Sequence, residues 1–117
     1  GWAYAVQRGD PQGRKVVAAF DHSTACNAVY ARNHHGLRPS QRPIERLAAS
    51  ALDGLADVWV MSPPCQPYTR QRAGLADQST DAGDPRAASF LHLCEELLPV
   101  LEDPPSTILL ENVVGFE

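Results

Sequence analysis

Val58-Trp59-Val60-Met61-Ser62-Pro63-Pro64-Cys65-Gln66-Pro67-Tyr68-Thr69-Arg70 decides how this chain reads. The first four residues are β-branched, aromatic or otherwise apolar and run without alternation, as a parallel strand covered on both faces requires. Two prolines follow. Each fixes φ near about −65° and drives the residue before it out of the helical region, so the backbone delivers Cys65 in one extended orientation at the strand's C-terminal edge. That edge is where open α/β sheets bind their ligands. An isolated cysteine after a strand is commonly a buried, inert thiol. Here its presentation on a rigid turn makes it a candidate nucleophile.

Working outward, the run at residues 16–20 (Val-Val-Ala-Ala-Phe) predicts a second strand, with Asp21 at its C-terminal end. Ser23 or Thr24 can cap a helix that runs to about Asn33, with Cys26, Val29 and Tyr30 on its apolar side, and His34-His35-Gly36 ends it. Leu47, Ala51, Leu52 and Leu55 recur at helical spacing and predict a short helix before the strand at 57–61. Residues 71–84 are polar, contain Gly74 and Gly83, and read as a loop. A longer helix is expected from about 87 to 101, with Phe90, Leu93, Cys94, Leu97, Leu98 and Leu101 as its buried stripe and Pro99 as a kink or end. Asp103-Pro104-Pro105 breaks it before a last strand at 107–110. At the N-terminus, Trp2, Ala5 and Val6 suggest the tail of a helix, followed by a turn at Gly9-Asp10-Pro11-Gln12-Gly13. Strands alternating with helices predict an α/β fold with a parallel sheet, flanking helices and right-handed crossovers, a piece of a Rossmann-like architecture.

A 117-residue chain that is 44% hydrophobic and 21% charged is expected to form one globular domain rather than a disordered tail. No apolar run approaches the roughly 20 residues of a transmembrane helix, and no basic-then-apolar leader is visible. Three cysteines, Cys26, Cys65 and Cys94, form no C-x-x-C pair and no even-numbered disulfide framework, which points to reduced thiols inside a cell, in cytoplasm or nucleus. The formal charge of −4 argues against this stretch alone holding a phosphate backbone. Its basic residues are nonetheless grouped, with Arg70, Arg72 and Arg86 around the Cys65 segment and Arg32, Arg38, Arg42 and Arg46 after the first full helix. His34-His35 and the pair His92, Cys94 fit no zinc-ligand spacing, so no metal site is expected.

Pro64-Cys65-Gln66 after a strand, with Glu111-Asn112-Val113 far downstream, resembles the catalytic motif pair of the cytosine-5 methyltransferases. Within that family, residues 63–70, Asp84-Pro85-Arg86 with Ser89-Phe90-Leu91, and Leu109-Leu110-Glu111-Asn112-Val113 with Gly115-Phe116-Glu117 resemble the branch that methylates tRNA rather than DNA. The match runs nearly end to end and is loosest between about Asn33 and Asp57. It implies a partial catalytic domain over residues 1–117, S-adenosylmethionine as donor, and tRNA as partner, with DNA as the alternative. A non-catalytic relative that binds nucleic acid or a partner enzyme is the reading from a different class. The chain begins at Gly1 without methionine, and most of the family's glycine-rich donor turn and its target-recognition region have no counterpart in it. The 117 residues alone are therefore expected to be inactive and poorly folded.

The chemistry explains the residue types. Carbon 5 of cytosine is a weak nucleophile until a thiolate adds at carbon 6, and a thiolate also leaves well afterwards. A carboxyl group at ring nitrogen 3 offsets the charge that develops. Cys65 and Glu111 have these types, at the ends of two expected parallel strands. The resemblance further implies that Asn112 holds the Cys65 loop, although a plain turn residue would look the same. Asp21 has the type and place to accept hydrogen bonds from ribose hydroxyls, or else it caps the next helix. His22, Ile44, Pro63 and Gly1, the last remnant of the glycine turn, are the other expected donor-site residues, with Pro43 where the family often has an acid. Gln66, Tyr68, Thr69 and Arg70 are expected to grip the extruded nucleotide, and a loop base in RNA is extracted at less cost than a paired one.

Overall fold

The computed structural model describes residues 2–10, 13–34, 37–64 and 87–113. The chain divides into two compact units, Gly1–Leu47 and Ala48–Glu117.

In the first unit, helix α1 (Trp2–Gly9) covers the expected helix tail, but the residue it buries is Ala3, while Trp2 and Ala5 are exposed. The turn after it is tied by its own acid: the Asp10 N–H donates to the Val6 carbonyl (3.1 Å) and the Gly13 N–H to Asp10 Oδ1 (2.9 Å). Residues 16–20 do not form the expected ladder strand. Their pairing among the described residues is a single parallel bridge between Phe20 and Ser40. There the Ser40 N–H donates to the Ala19 carbonyl (2.8 Å) and the Asp21 N–H to the Ser40 carbonyl (3.1 Å). A strand needs a partner along its length, and two bonds fix only its C-terminal end.

Helix α2 (Thr24–Asn33) starts and stops where expected. Ser23 is its N-cap, accepting the Cys26 N–H on Oγ (3.3 Å), and His34 closes it through an N–H bond to the Tyr30 carbonyl (2.9 Å). Its buried face is not the expected one. Cys26 is exposed, Val29 is 61% exposed and Tyr30 is half-buried, whereas Asn27 is buried at 7%.

In the second unit, strands β1 (Val58–Met61) and β2 (Thr107–Leu110) pair in parallel, with Val58 opposite Thr107 and Met61 opposite Leu110. The pairing continues at both ends. Thr107 N–H and Ser106 Oγ–H donate to the Asp57 carbonyl, and the Glu111 N–H donates to the Met61 carbonyl (3.0 Å).

Before β1, the expected short helix is replaced by 3₁₀ turns at Ile44–Arg46 and Ala49–Ala51, of which only the second belongs to this unit. Leu47 and Leu52 are buried, five residues apart, a spacing an α-helix would not put on one face. The segment is clamped from outside. Gly54 adopts φ 62°, its N–H donates to the Asp103 carbonyl (3.0 Å), and the Asp103 N–H returns to Asp53 Oδ1 (2.8 Å).

The helical run after residue 87 is continuous but changes pitch. Helix α3 (Ala88–His92) opens it, a π turn spans Leu93–Leu97, and a 3₁₀ turn spans Leu98–Val100. Pro99 supplies the reason: it has no N–H, and its ring would strike the carbonyl four residues earlier. The chain loosens ahead of it, with the Leu98 N–H reaching five residues back to the Leu93 carbonyl. Ala87, Leu93 and Leu97 are buried, while Phe90, Cys94, Leu98 and Leu101 are partly covered.

Candidate active site

Parallel pairing places the C-terminal ends of β1 and β2 side by side, and the two expected motifs leave the sheet there. From β1 the chain enters Ser62-Pro63-Pro64. From β2 it enters Glu111-Asn112. Asn112 binds the two exits together: its Nδ2 donates to the Pro63 carbonyl at 3.4 Å, a long bond at the weak end of the range, and its Oδ1 accepts the Val113 N–H at 2.8 Å. The second bond fixes which end of the amide faces Pro63. Glu111 is exposed, and its carboxylate has no hydrogen bond or ion pair among the described residues. Cys65, Gln66, Tyr68, Thr69 and Arg70 lie outside the described residues, as does Gly1. Pro64, the residue bonded to Cys65, is the last one described on that exit.

The second group of expected residues belongs to the first unit. Asp21 is held at three points: its N–H on Ser40, its carbonyl accepting Asn27 Nδ2 (2.7 Å), and its Oδ1 accepting the Ser23 N–H (2.8 Å). One carboxylate oxygen thus organises the turn into α2, while Oδ2 carries no hydrogen bond among the described residues. Ser23 rather than Asp21 is therefore the cap of α2, and Asp21 Oδ1 holds the turn before it. His22 is exposed in the bend after it. Beyond Ser40, whose Oγ accepts the Arg42 N–H (3.2 Å), Ile44 opens a 3₁₀ turn and is half-buried.

A hollow of about 430 Å³ in the first unit is lined by Ala3, Gln7, Arg14, Lys15, Tyr30 and His34 among others, and includes none of the expected site residues. Burial raises the Tyr30 hydroxyl pKa above its ordinary value. Cys94 is also raised, by burial and then by the neighbouring Glu95 carboxylate. His92 Nδ1 lies 3.2 Å from Glu96 Oε2, one helical turn on. Among the described residues no three His, Cys, Asp or Glu side chains group as metal ligands would. Nor is any described helix long and apolar enough to cross a membrane. Sequence reasoning missed Asn27. The available signal was an amide four residues after the N-cap, inside a helix where its intrinsic propensity is poor.

Two adjacent parallel strands, with a proline turn leaving one and a carboxylate leaving the other, define a sheet-edge site of the α/β class. The sequence profile of the C-5 cytosine-specific DNA methylases matches residues 6–117, and the chain belongs to that family. The tRNA (cytosine(38)-C(5))-methyltransferase of Bos taurus is 44% identical over 104 residues, which is 88% of this chain and 25% of that protein. The DNA (cytosine-5)-methyltransferase of Dictyostelium discoideum is 41% identical over 103 residues, 87% of this chain and 25% of that protein. Among solved structures, the Entamoeba histolytica methyltransferase EhMeth superposes with TM-score 0.75 at 30% identity, covering 90% of this chain and 32% of its own. The S. pombe Dnmt2 methyltransferase superposes with TM-score 0.73 at 31% identity, covering 97% and 31%. The fold is thus part of a Rossmann-like methyltransferase fold, and the chain spans about a quarter of the length of the curated relatives it matches.

Proposed function

We propose that the protein carrying this chain transfers a methyl group from S-adenosylmethionine to carbon 5 of cytosine in tRNA, inside the cell. The observation that carries the reading is the shared exit of β1 and β2. A proline turn leading directly to Cys65 and the exposed Glu111 side chain leave adjacent parallel strands, tied by Asn112 to the Pro63 carbonyl. The Cys65 thiolate adds to carbon 6 of the base. The Glu111 carboxyl group, carrying a proton, donates a hydrogen bond to ring nitrogen 3 and offsets the negative charge pushed toward it, while carbon 5 gains enamine character. Once carbon 5 carries the methyl group, a base takes its proton, and the electron pair of that carbon–hydrogen bond restores the 5,6 double bond as the sulfur–carbon bond breaks and releases the Cys65 thiolate.

The residues present fit the donor. Asp21 is an acid at the C-terminal end of an extended segment, and its Oδ2 is left to accept a ribose hydroxyl while Oδ1 is occupied. His22, Ile44, Pro63 and Gly1 are the further residues assigned to holding it. When bound, S-adenosylmethionine supplies an electrophilic methyl group. Gln66, Tyr68, Thr69 and Arg70, directly after the nucleophile, are assigned to the flipped base and its phosphates. The tRNA assignment is supported by the name of the Bos taurus relative and by the Tyr68-Thr69-Arg70 sequence. DNA is the second reading, favoured by the name of the Dictyostelium relative.

The test offers the natural-length protein labelled S-adenosylmethionine with tRNA and duplex DNA in parallel. Label is expected in tRNA. Label confined to DNA would replace the substrate, and label in neither would overturn the activity.

A further inference from the structure

Asn27 is the one buried polar residue among those described, and its placement is hard to explain by packing alone. It sits inside α2, where asparagine is a poor helix former. Its Oδ1 is buried and receives no hydrogen bond among the described residues, an arrangement that disfavours the folded state. An alanine or leucine at this position would bury no side-chain acceptor of its own. What asparagine supplies and they cannot is a donor, and Nδ2 delivers it to the Asp21 carbonyl at 2.7 Å. That bond also fixes the amide's orientation, since the reverse would set two oxygens against each other.

The main chain of Asp21 is thereby gripped from both sides, by Ser40 on its N–H and by Asn27 on its carbonyl, while the Ser23 N–H holds Oδ1. With backbone and one carboxylate oxygen fixed, the direction of Oδ2 follows. We propose that Asn27 is a positioning residue for the donor site: through the Asp21 carbonyl it sets the aim of the Asp21 carboxylate at the ribose of the adenosyl ligand. The proposal rests on the reading of Asp21 as a ribose acceptor, and its test separates the two.

The experiment measures dissociation constants by titration calorimetry on the natural-length protein, with S-adenosylhomocysteine and with its 2′,3′-dideoxyribose counterpart. The variants are Asp21→Asn, Asn27→Ala and Asn27→Asp, the last nearly isosteric but without the donor. Asn27→Ala and Asn27→Asp should each weaken S-adenosylhomocysteine about tenfold, the scale of one hydrogen bond. The same variants should change the affinity for the dideoxy ligand less than about twofold, because that ligand has nothing for Oδ2 to hold. An equal loss for both ligands would mean that Asn27 only supports the fold, and would overturn the proposal. An Asp21→Asn variant that binds both ligands like the unmodified protein would instead overturn the ribose reading beneath it. If the Asn27 variants do not fold, the unmodified protein still decides. The Asn27 side-chain amide should become more protected from deuterium exchange with S-adenosylhomocysteine than with the dideoxy ligand, and equal protection would contradict the proposal.

Discussion

Three cysteines compete for the part of nucleophile, and their surroundings distinguish the two that are described. Cys26 is exposed in the first turn of α2. Cys94 lies in the π turn, partly buried, and burial together with Glu95 pushes its thiol above the ordinary range. A raised pKa means less thiolate at a given pH, so at pH 8 Cys94 should react with iodoacetamide more slowly than a free cysteine and more slowly than Cys26, read by peptide mass spectrometry. Equal rates would contradict the burial argument. Cys94→Ser should keep methyl transfer within about threefold, whereas Cys65→Ala should lower it by roughly 10³-fold or more. Asn112→Ala removes the bond to the Pro63 carbonyl. Its expected cost in stability is about 1 kcal/mol, but its effect on kcat should be larger, roughly tenfold or more, because the lost bond joins the two exits that the proposed chemistry uses. Thermal melts beside steady-state kinetics check this, and an unchanged kcat would reduce Asn112 to a turn residue.

Punctuation made some elements legible and tertiary forces hid others. The start of α2 was readable from Ser23 and its end from His34, because caps are local. The β1 and β2 runs were readable because prolines bound them, and the closing exit of β1 sits beside Asn112, which joins the two candidate motifs. The face of α2 was not, since periodicity favours Val29 over an asparagine whose burial depends on a carbonyl six residues away. The pitch change before Pro99 reads in the sequence only as a kink or end, and the Gly54–Asp103 clasp joins segments nearly fifty residues apart. That clasp predicts a clear outcome. Gly54→Ala forces a Cβ into left-handed backbone, a cost of roughly 1–2 kcal/mol, and places it 3.1 Å from Asp103 Oδ2. A lowered urea midpoint with an unchanged slope would show the effect. Leu97→Ala empties a buried site and should cost about 2–5 kcal/mol. A cost below about 1 kcal/mol would mean the helical run is not part of the core.

At the scale of the whole molecule, the described sheet has only two strands, and β2 leaves Ile108, Leu109 and Leu110 each more than 40% exposed. Uncovered apolar strands favour association. The 117-residue polypeptide on its own is therefore expected to bind a hydrophobic dye, to scatter light with rising concentration and to transfer no methyl group. A cooperative melt accompanied by methyl transfer would contradict that expectation. The formal charge of −4 leads the same way, because phosphate affinity scales with the cations that neutralise it. The most direct test of the account uses the natural-length protein with S-adenosylmethionine and tRNA in which cytosine is replaced by 5-fluorocytosine. Fluorine cannot leave as a proton does, so the covalent intermediate is trapped on its sulfur. The account predicts an adduct on the peptide containing Cys65, absent in Cys65→Ala. An adduct on Cys26 or Cys94, or methylation that persists in Cys65→Ala, would contradict it.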